Sequence, residues 1–144
     1  MKGIDGLELS PRKNEYLKYL LEKGGMAHTT DISAHFDLDP STVTKAINEM
    51  SSTGLIEHIP YRGVCLTPRG REYATFLVRR HRVLGLMLSH YGLTPREACS
   101  EASKLESYVS KDVVDKICKS LGHPSMGICG RITHDKCCCC PDDE

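Results

Sequence analysis

The chain has 144 residues, 40% of them hydrophobic, and its 19 Lys/Arg balance 19 Asp/Glu, so the formal net charge is zero. That length is enough for one good core or a small module with an appendage, and no apolar run approaches the ~18 to 20 residues of a bilayer span. Neutral charge excludes strong electrostatic steering by the whole molecule, so a nucleic-acid contact would have to come from a local patch, doubled by a dimer.

Helix starts are marked by Ser, Thr or Asp followed by Pro, which puts a capping oxygen ahead of a residue whose missing N–H costs nothing in the first turn. The pairs are Ser10-Pro11, Asp39-Pro40, Thr67-Pro68 and Thr94-Pro95, and Glu97 adds a capping-box residue to the last. From Ser10, Tyr16, Leu17, Leu20 and Leu21 recur at helical spacing until Gly24-Gly25. A second helix is predicted from about Thr30 to Phe36, with Ile32 and Phe36 inward. A third follows Asp39, with Val43, Ile47 and Met50 on one face, and ends near Gly54. Leu55–Ile59 and Val64–Leu66 then read as two strands joined by Pro60-Tyr61-Arg62-Gly63. A long helix from Pro68 to about Tyr91 and two shorter ones, Pro95–Glu106 and Lys111–Leu121, complete the periodic part. The segment from Gly122 has little periodicity.

Three short helices and a hairpin are the order of a winged helix-turn-helix, whose third helix enters the major groove while the hairpin lies along the backbone. The fold class expected is therefore mainly α: a winged helix-turn-helix over 1–67, a linker helix and helical dimerisation domain over 68–121, and a Cys/His-rich tail over 122–144. Candidate DNA contacts are Thr30 at the start of the second helix, Pro40, Ser41, Thr42, Thr44 and Lys45 at the start of the third, and Arg62 at the hairpin tip. Small hydroxyls and free N–H groups at a helix start suit phosphates and base edges, and an arginine at the tip suits a phosphate or the minor groove.

These segments resemble one family. Asp31-Ile32-Ser33, the run from Asp39 to Lys45, Gly54-Leu55-Ile56, Tyr61-Arg62-Gly63-Val64 and Leu66-Thr67-Pro68-Arg69-Gly70 are similar to the diphtheria toxin repressor and manganese transport regulator family. Arg80-His81-Arg82, then Glu101-Ala102 through Leu105-Glu106 to Val109-Ser110, continue the likeness over roughly residues 10 to 121. The resemblance implies a homodimeric, metal-activated transcriptional repressor that binds a double-stranded DNA operator, is not an enzyme, and takes no small-molecule substrate. It also implies metal ligands at His81 and Glu106, with Glu15 at or beside the first-helix position. Elsewhere the pattern departs: Arg12, Ser103 and Ser107 stand where ligands are usual, and Gly85 lacks the carboxylate some members carry. A hard ion wants about six oxygen or nitrogen donors, so an unchanged manganese or ferrous site is not expected.

Eight cysteines in a chain with no signal-peptide pattern point to reduced thiols, a metal site or redox chemistry in the cytoplasm, not to a disulfide framework. Cys99 lies near an auxiliary family position, with Glu101 and Cys118 nearby, and a thiolate there would favour thiophilic ions. A second candidate is the tail itself, with His123, Cys129, His134 and Cys137, Cys138, Cys139 and Cys140. Such a set could wrap a zinc ion or hold an iron-sulfur cluster. The cofactor expected is thus a divalent transition metal (iron, zinc or manganese) or a cluster, with iron favoured. The competing readings are an iron-sulfur or thiol redox-sensing regulator and, with less support, a metal carrier on a winged-helix scaffold.

Overall fold

Each Pro-marked helix start carries its cap. The computed structural model describes residues 4–134, and in it Ser10 Oγ accepts from the N–H of Lys13 at 3.3 Å, Asp39 Oδ1 from Ser41 at 3.2 Å and Thr94 Oγ1 from Glu97 at 3.2 Å. Thr67 does two jobs, accepting from the N–H of Gly70 at 3.0 Å and donating to the carbonyl of Gly54 at 2.7 Å. The elements that follow are α1 (Pro11–Glu22), β1 (Met26–Ala27), α2 (Thr29–Phe36), α3 (Pro40–Ser52), β2 (Ile56–Ile59), β3 (Gly63–Leu66), α4 (Pro68–Ser89), α5 (Pro95–Leu105), a 3-10 turn (Glu106–Tyr108) and α6 (Lys111–Ser120).

The chain forms two compact units. The N-terminal unit is Leu9–Thr75 and the C-terminal unit runs from Phe76 onward together with the residues before Leu9. The division falls inside α4, eight residues after the expected boundary at 67.

In the N-terminal unit, Tyr16, Leu17 and Leu20 of α1, Ile32 of α2, Val43, Ile47 and Met50 of α3 and Val64 of β3 are buried. The helical ones are at three- and four-residue steps in the sequence, which is why the three helices pack on one another. The sheet has the order β1-β3-β2 and is antiparallel throughout, with Met26 opposite Cys65 and Glu57 opposite Cys65 on the other side. β1 was not expected: two residues carry no periodicity, and the strand exists because its backbone completes the free edge of β3. Gly70 lets α4 approach this sheet, since a Cβ there would lie 1.8 Å from the carbonyl oxygen of Leu55.

The C-terminal unit is tied by buried charge. Arg80 is fully buried; it donates to the carbonyls of Gly6 at 2.7 Å and Val109 at 3.1 Å, with its guanidinium over the Phe76 ring. Arg79 donates to Asp115, which also accepts from Lys111 at 2.7 Å. Beyond α6 the chain departs from the aperiodic tail expected over 122–144. Residues 125–132 turn back on themselves, with Gly127 N–H to Gly130 O at 2.8 Å, Ile132 N–H to Ser125 O at 3.0 Å and a bridge between Met126 and Arg131. The turn is held on α4: Arg82 donates to the Arg131 carbonyl, and a Cβ on Gly85 would sit 3.3 Å from Ile128 Cδ1; Ile132 at its end is buried. Ile128 thus packs closely over the glycine at 85. No helix among the described residues is long and apolar enough to cross a membrane.

Candidate metal centre and nucleic-acid interface

Three elements of the C-terminal unit bring donors to one point: α4 supplies His81, α5 supplies Cys99, and the 125–132 turn supplies Cys129. One ligand atom from each lies within 4.8 Å of the others, and His81 Nε2 is 3.3 Å from Cys99 Sγ. The other ring nitrogen, Nδ1, is 2.6 Å from Glu106 Oε2, on a carboxylate buried in the 3-10 turn. A carboxylate can only accept, so Nδ1 carries the proton and the Nε2 lone pair faces the thiols. This is the outer-shell arrangement by which a carboxylate orients a ligating imidazole and raises its basicity. Cys129 is an exposed residue by area, yet partial burial of its thiol pushes the pKa up; the neighbouring Cys99 adds to the rise and Arg82 opposes it.

Among the described residues, the His and Cys near the end of the chain fall into two groups. Cys129 joins His81 and Cys99, whereas His123 and His134 meet Cys118 of α6, each through Nδ1 at 3.6 Å from its sulfur. Cys137 and Cys138, with Cys139 and Cys140, lie outside the described residues. Neither group includes Glu101, whose carboxylate pairs with Lys104 at 2.8 Å on the surface; two positions from Cys99 on a helix, it points away from it. Glu15 belongs to α1 of the N-terminal unit and pairs with Lys18 at 3.1 Å. Glu106 reaches the site through His81. Sequence reading set Cys118 beside Cys99, whereas the structure groups it with His123 and His134; the one local signal of that grouping is His123 five residues on.

In the N-terminal unit the expected contact residues are all on the surface: Thr30 in the first turn of α2, Pro40, Ser41, Thr42, Thr44 and Lys45 along the first turns of α3, and Arg62 in the β2–β3 turn. Ser41 Oγ also donates to Asp39 Oδ1 at 3.1 Å, so it serves the cap as well as the surface. Glu49, the acidic group on this helix, is bound at 2.7 Å by Lys13 of α1, whose hydrogen bond and charge lower its pKa. Pairing it quenches the one carboxylate of α3. Tyr61 stands fully exposed beside Arg62, with a left-handed φ of 66° that lifts it from the end of the hairpin.

Residues 8–64 match the model of the iron-dependent repressor N-terminal DNA-binding domain, and residues 67–132 that of the iron-dependent repressor metal-binding and dimerisation domain. The chain belongs to this family. Among its relatives are the transcriptional regulator MntR of Salmonella typhimurium, 33% identical over 101 residues covering 70% of this chain and 64% of the relative, and MntR of Geobacillus kaustophilus, 29% identical over 111 residues covering 75% and 79%. The chain thus spans less than two thirds of the length of the Salmonella protein. Among solved structures, ScaR with bound Zn2+ superimposes with a TM-score of 0.71 at 26% identity, over 84% of this chain and 62% of that one. A hypothetical protein of Sulfolobus solfataricus shares the fold, with a TM-score of 0.74 at 23% identity over 86% of this chain and 96% of that one. The family's named members are transcriptional regulators, not enzymes.

Proposed function

We propose that this chain is a homodimeric transcriptional repressor whose DNA affinity is set by a thiophilic divalent ion bound by His81, Cys99 and Cys129. The observation that carries the reading is the convergence of these three donors in the unit that matches the family's metal-binding and dimerisation domain, with Glu106 fixing the tautomer that leaves Nε2 available. One nitrogen and two sulfurs suit ferrous iron or zinc better than manganese, which prefers oxygen and imidazole. The ScaR structures with Zn2+ and Cd2+ are relatives holding ions of that kind, and the mixed donors favour a single ion over an iron-sulfur cluster.

A bound ion would be held by His81 of α4, Cys99 of α5 and Cys129 of the 125–132 turn. His81 and Cys99 are on regular helices and arrive preset; Cys129 is delivered by the turn. A protein assembled this way favours one dimer geometry, and DNA half-sites one helical turn apart select the same geometry. Tyr91, Tyr108, Val113 and Met126, all exposed in the C-terminal unit, supply apolar area for subunit contact. α3 and the β2–β3 turn make the DNA contacts, and a cytoplasmic location follows from that partner.

The adjacency of Cys99 and Cys129 supports a second reading, as a thiol redox sensor. Peroxide would take two electrons from the pair and leave as water, a disulfide would form, and two ligands would be lost at once.

The test is anaerobic binding to the DNA upstream of the chain's own gene, without metal and with ferrous iron, zinc or manganese. Coupling of ~1 to 3 kcal/mol predicts at least about five-fold tighter binding with iron or zinc, and Cys129→Ser should abolish the gain. Equal affinity under every metal condition overturns the proposal.

A further inference from the structure

We infer that Cys118, His123 and His134 form a second metal site, a structural one for a zinc-class ion, which clips the 122–134 segment to the end of α6. In its effect on Cys129 this rests on the function proposed above; as a metal site it stands alone.

The donors come from the two ends of that segment and from the helix beneath it. Cys118 is fully buried in the last turn of α6. His123 follows the helix end, with its N–H on the Cys118 carbonyl at 2.9 Å and a left-handed φ of 51°, and that conformation turns its ring back over Cys118. His134 returns from the far side of the 125–132 turn. Both Nδ1 atoms are 3.6 Å from Cys118 Sγ. An ion held tetrahedrally at about 2.3 Å from a thiolate and about 2.0–2.1 Å from an imidazole nitrogen places that sulfur and nitrogen about 3.6 Å apart.

The ring orientation agrees. His134 Nε2 lies 2.8 Å from the carbonyl of Pro124, which can only accept, so the proton is on Nε2 and the Nδ1 lone pair faces the sulfur. The two imidazole planes are at 85° to each other, so the donors approach from different directions, as ligands of a tetrahedral centre do. Three protein donors leave one tetrahedral position for water or another ligand.

The consequence concerns Cys129. It lies between His123 and His134 in sequence, on a turn anchored to α4 by Ile128 and the Arg82 bond. Fixing both ends of the segment lowers the entropy lost when Cys129 enters the first site. One ion would then build the arm that the other uses.

The experiment uses the full-length chain carrying Cys99→Ser and Cys129→Ser, which dismantles the first site so that its failure cannot be mistaken for failure of this one. Zinc is added, weakly held metal is removed by dialysis against a moderate chelator, and zinc per chain is counted in this parent and after adding His123→Gln or His134→Gln. Each histidine variant should hold about one zinc fewer per chain and lose the zinc-dependent rise in melting temperature that the parent shows. Cys118→Ser alters a buried position and could fail to fold, so the decision rests on the two half-buried histidines, with circular dichroism confirming their helices. Equal zinc content and equal melting shifts in parent and both variants would mean a hydrogen-bonded cluster only, and would overturn the inference.

Discussion

At His81 the two ring nitrogens have different tasks. Nδ1 is engaged by Glu106 at 2.6 Å, and Nε2 faces Cys99 at 3.3 Å. Glu106→Gln keeps the volume and an acceptor oxygen but removes the charge that makes the imidazole a strong donor. Metal affinity, measured by competition with a chromogenic chelator, should fall about 10- to 100-fold. No change would mean that Glu106 is only a buried partner for the ring. The thiols set a pH dependence of known sign. Burial and Cys99 raise the pKa of Cys129, so at neutral pH the metal must displace its proton. Affinity should climb as pH rises toward that raised value, by up to about tenfold per unit for each proton released, and flatten above it. Proton release on metal addition, followed in weak buffer, checks this, and a pH-independent affinity would remove the thiols from the ligand set.

At the level of elements, the proposed DNA contacts are on α3 and the β2–β3 turn, and their chemistry predicts two different kinds of loss. Lys45 and Arg62 are long cations on the surface; removing either should weaken binding on all sequences and reduce the slope of log affinity against log salt by about 1. Thr42 and Thr44 are short, and replacing them should change sequence preference more than salt slope. An Arg62→Ala variant with an unchanged slope would take the hairpin off the backbone. The elements themselves were readable because local signals agree: Pro after a capping oxygen starts α1, α3, α4 and α5, and the 3.6-residue pattern then fixes each buried face. What was not readable came from long-range pairing. β1 is two residues long and owes its existence to β3. The 125–132 turn packs at Gly85 and is hydrogen-bonded by Arg82, both some forty or more residues away. The donors were visible as residue types, but their sorting was not: Cys129 and His134 are five residues apart and serve different clusters because the turn reverses the chain between them.

For the whole molecule, zero net charge leaves little non-specific attraction to DNA, so the proposed repressor draws its affinity from two correctly spaced copies of a small patch. In the proposed function, the dimer geometry is then the quantity regulated, and an ion at His81, Cys99 and Cys129 is the means of biasing it. Linkage demands reciprocity: if the ion tightens DNA binding, DNA must tighten ion binding by the same factor. The decisive measurement is therefore an anaerobic zinc or ferrous titration of the full-length protein, alone and saturated with its upstream DNA. Metal affinity at least about five-fold higher on DNA is the predicted result. The same affinity with and without DNA, in a protein that binds both, would show that the metal site and the DNA surface are uncoupled.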